Sequence, residues 1–210
     1  MTTVESLLGL TRIIPVIVID DHRHAVRLGE ALVAAGLPVA EVTLRTSQSW
    51  QAIENMKSVS GLQLGVGSIK SAADIKRAKE LGASFAVSPG FTMEIAKSAL
   101  DLDLTFFPGV STPSEILSAL SLGFSVLKWF PAESMGGVNA LRAISAPFPG
   151  IRFIPTGGIG ISNVSEYLSL ECVAAVGGSW MVSREKMKSE KFSEIESDIR
   201  QAISEVGSGA

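Results

Sequence analysis

The chain has 210 residues, with 18 Lys and Arg against 21 Asp and Glu and a formal net charge of −3. Hydrophobic residues make up 46% and charged residues 19%, which excludes a disordered chain, and the slight acidity provides no positive field to draw in nucleic acid. At this size about 70% of the surface of the unfolded chain is buried on folding, so no disulfide or metal staple is needed, and the lone cysteine, Cys172, fits a reducing, cytoplasmic setting.

In chain order, MTTVES carries Glu5 and lacks the basic run of a secretory signal; a short helix is expected over 3–10. The stretch Ile13–Ile19 has seven residues, contains Pro15 and stops at Asp20-Asp21. A membrane-spanning helix needs about 20 apolar residues, so this is a buried strand, and no membrane partner is expected. His22 and His24 flank Arg23 with no third ligand at suitable spacing, which favours surface histidines over a metal site. Ala25 to Gly36 has helical character with indefinite caps.

Further strands are expected to begin near Pro38, Leu62, Ser84, Leu104, Ser125, Arg152 and Val173, at intervals of roughly 20–27 residues. That interval accommodates one strand, one helix and two short loops. Ser71 can cap the helix AADIKRAKEL, which Gly82 ends. Thr112-Pro113-Ser114-Glu115 is a capping box with proline at the first helical position, and its helix stops by Gly123. Cys172 reads as a small packed hydrophobe. Arg184 to Lys191 is a charge run expected on a solvated face, and a last helix is expected over about 193–206.

No linker interrupts this rhythm, so the sequence predicts a single domain over 1–210. Eight strand–helix units imply parallel strands, and eight strands can close into a (β/α)8 (TIM) barrel without free edges. The alternative is an open doubly wound sheet, but IIPVIVIDDHR stands where its G-x-G-x-x-G loop would follow the first strand. A barrel places its chemistry at the C-terminal ends of the strands.

Two strands carry residues that do not suit an apolar wall. In SVLKWFP the period of two puts Val126, Lys128 and Phe130 on one face and Leu127 and Trp129 on the other. An inward Lys128 loses hydration, which disfavours the ammonium and frees a neutral amine to attack a carbonyl; the alternative is a stem along the wall with its head in water. In VAEVTLR, Glu41, Thr43 and Arg45 share the parity opposite Ala40, Val42 and Leu44. An inward carboxylate near a lysine can shuttle protons, and a guanidinium can grip a substrate carboxylate; the alternative is an internal Glu–Arg pair. Thr156-Gly157-Gly158 and Gly177-Gly178-Ser179 follow the last two strands, where barrel enzymes often hold phosphate on backbone N–H groups.

The segments GLPVAEVTLRT, LGVGS, FAVSPG, FFPGVSTPSE, VLKWFPAE, IPTGGI and VGGSWMV fall in the order and spacing of 2-keto-3-deoxy-6-phosphogluconate (KDPG) aldolase. The chain resembles that family, which also acts on 4-hydroxy-2-oxoglutarate, from about Ile13 to Val182. The resemblance implies a trimeric barrel and a class I, metal-free aldolase that uses no cofactor and acts on a small keto-acid phosphate. It implies Lys128 as the Schiff-base lysine and Glu41 as the general acid/base. Arg45, Ser68 and Thr156 would line the pyruvate pocket, with Gly157, Gly158, Gly178 and Ser179 around the phosphate. The chain departs from the pattern at Ser68, where threonine is usual, at Trp129 for phenylalanine, and at Met135 for a polar residue. Two other classes are compatible with the glycine loops. A sugar-phosphate epimerase or isomerase gives no reason for a lysine in the sixth strand, and a silent binding module needs Lys128 only as a charge.

Overall fold

The computed structural model describes residues 12–207; MTTVES and the helix expected over 3–10 lie outside the described residues. Parallel strand segments alternate with helices. The strands are β1 (Ile13–Ile17), β2 (Val39–Thr43), β3 (Gln63–Gly67), β4 (Phe85–Val87), β5 (Phe106–Phe107), β6 (Gly109–Val110), β7 (Val126–Trp129), β8 (Arg152–Pro155) and β9 (Val176–Gly178). The helices are α1 (Ala25–Ala34), α2 (Ser49–Met56), α3 (Ala72–Glu80), α4 (Met93–Asp101), α5 (Pro113–Leu120), α6 (Gly137–Ser145), α7 (Val164–Leu168), α8 (Arg184–Lys188) and α9 (Phe192–Gly207). Among the described residues no helix is long and apolar enough to cross a membrane.

Strand residues other than Gln63 and Arg152 are buried, as parallel strands covered by helices require. The covering helices present apolar stripes at helical spacing, such as Ala25, Leu28, Gly29 and Leu32 on α1 and Phe192, Ile195, Ile199 and Ala202 on α9. Local chemistry sets their ends. Thr112 accepts from the Glu115 N–H while the Glu115 side chain accepts from the Thr112 N–H, with Pro113 at the start of α5. Ser71 accepts from the Asp74 N–H at the start of α3, at 3.2 Å.

Six strands run in the order β5-β4-β3-β2-β1-β9 and three in the order β6-β7-β8. Parallel bridges Phe153↔Val173 and Thr156↔Gly177 tie β8 to β9. The strand expected from Leu104 is broken into two pieces by Pro108, which has no N–H to give to a ladder. Gly109 donates instead to Ser88 Oγ at 3.2 Å, and the Pro108 carbonyl accepts from the Lys128 N–H at 2.9 Å. The eighth strand is equally short: the bridge at Val173 is isolated, and the regular ladder starts only at Val176.

The sheet curls back on itself. Three strands separate β2 from β7 through β1, β9 and β8, yet Glu41 on β2 and Lys128 on β7 touch. In a flat sheet four steps of about 4.8 Å would hold those strands about 19 Å apart, beyond the reach of a lysine and a glutamate that both stay buried. An open doubly wound sheet is therefore not the architecture.

Candidate active site

β2 sends alternate side chains to the inner face of the curl. Glu41 is buried there, Thr43 donates from Oγ1 to the Ile17 carbonyl at 2.8 Å, and Arg45 stands exposed just beyond the strand end. Opposite, Lys128 Nζ donates to Glu41 Oε1 at 3.1 Å, with each side chain only 4% exposed. The lysine head is thus not in water, and Glu41 pairs with Lys128 rather than with Arg45. Arg45 donates from Nε to Ser68 Oγ at 3.3 Å. Ser68 holds a φ of 60°, a left-handed conformation that costs a non-glycine residue about 1–3 kcal/mol and concentrates at functional positions.

The space for the Glu41 carboxylate comes from Gly67, at the end of β3. A Cβ there would lie 2.2 Å from Glu41 Oε1. Just past the end of the lysine's own strand, the ring of Phe130 lies 5.3 Å from Nζ, while Trp129 on the other parity is fully buried.

A cavity of about 600 Å³ opens beside this pair at the C-terminal ends of the strands. It brings together Arg45, Thr156, Gly157, Gly158, Gly178 and Ser179. Lys128, Glu41 and Ser68 do not line it; they border it through Phe130 and Arg45, which do. The glycine turn after β8 needs its residues, with Gly157 at φ 105° and Gly158 at φ 77°. It is braced by N–H bonds from Ala132 to the Thr156 carbonyl (2.8 Å) and from Glu133 to the Gly157 carbonyl (3.0 Å). Glu133 packs over Gly158 and accepts a hydrogen bond from the Tyr167 hydroxyl. Gly177 makes room for Thr156, whose Oγ1 would lie 2.3 Å from an added Cβ.

The cavity wall also contains residues not anticipated from the sequence: Phe130, Ile159, Val182, Ser183, Arg184 and Glu185. The run from Arg184 to Lys191 is exposed as expected except at Lys186 and Met187, yet its first two residues also line the cavity. Arg184 and Glu185 face the cavity, and Lys186 pairs with Asp198 at 2.6 Å. The usable signal was position, since the loop after a final barrel strand belongs to the functional end. The histidines are half-buried rather than on the surface. His22 Nδ1 lies 3.1 Å from Asn55 Nδ2, and His24 packs edge-on against Phe192. Cys172 is half-buried and packs against the core.

A family model described as KDPG and KHG aldolase matches residues 4–197. The KHG/KDPG aldolase of Escherichia coli (strain K12) is 40% identical over 203 residues, covering 96% of this chain and 95% of that protein. The chain belongs to the KDPG and KHG aldolase family. Among solved structures, the 2-keto-3-deoxy-6-phosphogluconate aldolase of Zymomonas mobilis ZM4 with 3-phosphoglycerate superposes with a TM-score of 0.91 at 38% identity, covering 95% of this chain and 94% of that one. The KDPG aldolase of Legionella pneumophila, with pyruvate captured at low pH as a covalent carbinolamine intermediate, gives a TM-score of 0.90 at 38% identity, covering 94% and 96%. The stretch matched to the KDPG and KHG aldolase family includes every residue of the cavity and of the buried pair.

Proposed function

We propose that this chain is a class I aldolase that cleaves 2-dehydro-3-deoxy-6-phosphogluconate to pyruvate and D-glyceraldehyde 3-phosphate, and 4-hydroxy-2-oxoglutarate to pyruvate and glyoxylate. The observation that carries the reading is the buried contact of 3.1 Å between Lys128 Nζ and Glu41 Oε1 beside a cavity flanked by Arg45, by the glycine turn after β8 and by Gly177 and Gly178, which end β9 rather than follow it. The relatives named above, one of them holding pyruvate as a carbinolamine, support it.

Lys128 passes its extra proton to Glu41, and the neutral amine adds to the C2 ketone to give a carbinolamine. Glu41 returns a proton to the departing hydroxyl, water leaves, and an iminium remains. Glu41, now a carboxylate, takes the C4 hydroxyl proton; the C3–C4 bond breaks and its electron pair flows into the iminium, forming an enamine. The aldehyde leaves, C3 is protonated, and water hydrolyses the iminium to pyruvate and free Lys128. Arg45 grips the keto-acid carboxylate with Ser68 and Thr156 beside it. Gly157, Gly158, Gly178 and Ser179 receive the phosphate, so both substrate ends are fixed while the centre reacts.

In this reading the curled sheet is a complete (β/α)8 barrel forming one domain, with β5 and β6 as one strand interrupted at Pro108. The homotrimer and the cytoplasmic setting belong to the same proposal and rest on the family likeness and on the lone thiol of Cys172.

Lys128→Arg tests the reading against a silent phosphate-binding module. A guanidinium keeps the charge but forms no imine, so turnover is expected to vanish. Turnover retained at the wild-type rate would overturn the covalent mechanism.

A further inference from the structure

The part of the cavity wall beyond the glycine turn and the end of β9 carries one cation, Arg184, next to one anion, Glu185. Arg184 stands at the start of α8, where Nε and Nη2 reach both carboxylate oxygens of Asp20, just past β1, at distances from 2.6 to 3.0 Å. This fork fixes the plane of the guanidinium without using all of its five N–H donors, and Nη1 makes no hydrogen bond among the described residues. Both side chains of the pair remain more than half exposed, at 58% and 57%, so neither is locked away from an incoming anion. Gly157, Gly158, Gly178 and Ser179 share the cavity with Arg184.

We propose that Arg184, aimed by Asp20, is a specificity-determining residue that selects substrates with a phosphate at the end distant from the keto acid. This rests on the aldolase reading above and adds to it. Backbone N–H groups bind an oxyanion by geometry, whereas a guanidinium adds charge, and the difference matters most for a dianion. Without Arg184 this part of the wall would present only the Glu185 carboxylate, which repels phosphate. Arg45, the other cation of the cavity, is engaged with Ser68 at the keto-acid end.

The test compares kcat/KM for 2-dehydro-3-deoxy-6-phosphogluconate with that for unphosphorylated 4-hydroxy-2-oxoglutarate in the wild type, Arg184→Ala and Arg184→Lys. The ratio of the two values is expected to fall about tenfold or more in Arg184→Ala, carried by KM for the phosphorylated substrate. It is expected to recover in part in Arg184→Lys and to shrink in the wild type as salt rises. Inorganic phosphate should also inhibit Arg184→Ala less strongly than the wild type. A ratio unchanged in Arg184→Ala, or both substrates losing kcat/KM equally, would overturn the proposal. Trapping of pyruvate by borohydride is measured on the same samples. Failure of trapping in the wild type would sink the aldolase reading, whereas trapping with an unchanged ratio sinks only the role of Arg184.

Discussion

Gly67→Ala separates the needs of the fold from those of the chemistry. Gly67 ends β3, pairs in register with Thr43 of β2 and does not adopt a positive φ, so an alanine backbone is unstrained there. Its Cβ, however, would lie 2.2 Å from Oε1, 2.7 Å from Cγ and 2.8 Å from Cδ of Glu41. Relief to ordinary contact of about 3.5 Å requires the carboxylate to move by about 1 Å. The clashing atoms are the end of a side chain, so the fold is expected to lose about 1–3 kcal/mol, or several degrees in Tm for a domain of this size. The reaction suffers more, because a displacement of about 1 Å can cost about 100-fold in rate. Steady-state kcat is measured beside a thermal melt, with Gly90→Ala as control, since a Cβ at Gly90 meets nothing within 4 Å. A folded Gly67→Ala enzyme turning over at the wild-type rate would refute the placement of Glu41 as the proton carrier.

Two further predictions concern the frame around the site. Thr112→Ala removes one half of the capping box of α5 and is expected to cost about 1 kcal/mol, lowering Tm by about 2–4 °C with kcat unchanged; an unchanged melt would deny the cap its role. Burial, and then the hydrogen bond to Glu133, push the Tyr167 phenol above its ordinary range. The stabilisation this represents is complete below the unfolded value of about pH 10 and is lost as pH rises toward the folded value. Tyr167→Phe is therefore expected to flatten the alkaline fall in Tm above about pH 10, and an identical slope in both proteins would contradict the assignment.

Period-two alternation makes the buried Lys128–Glu41 pair legible in the sequence. Lys128 and Glu41 each break an apolar strand on a definite parity, and a curled parallel sheet has only one interior for both. The capping box of α5 was legible because it is complete within four consecutive residues. What depends on contacts distant in sequence was not. Pro108 shows in the sequence as a residue with no N–H to give, but the sequence does not show that Ser88 and Lys128 take up the neighbouring backbone groups. Arg184 and Glu185 resemble any surface charge run until Asp20, 164 residues earlier, holds the guanidinium at the cavity. The bond from Tyr167 to Glu133 has the same character, since nothing near either residue announces the other.

The imine itself is the claim on which the account stands. Incubation with pyruvate, reduction by borohydride, intact mass and peptide mapping together measure it directly. The account predicts one added three-carbon acid per chain, attached to Lys128 and absent from Lys128→Arg. A chain that turns over substrate while Lys128 stays unmodified, or an adduct on another lysine, would contradict it.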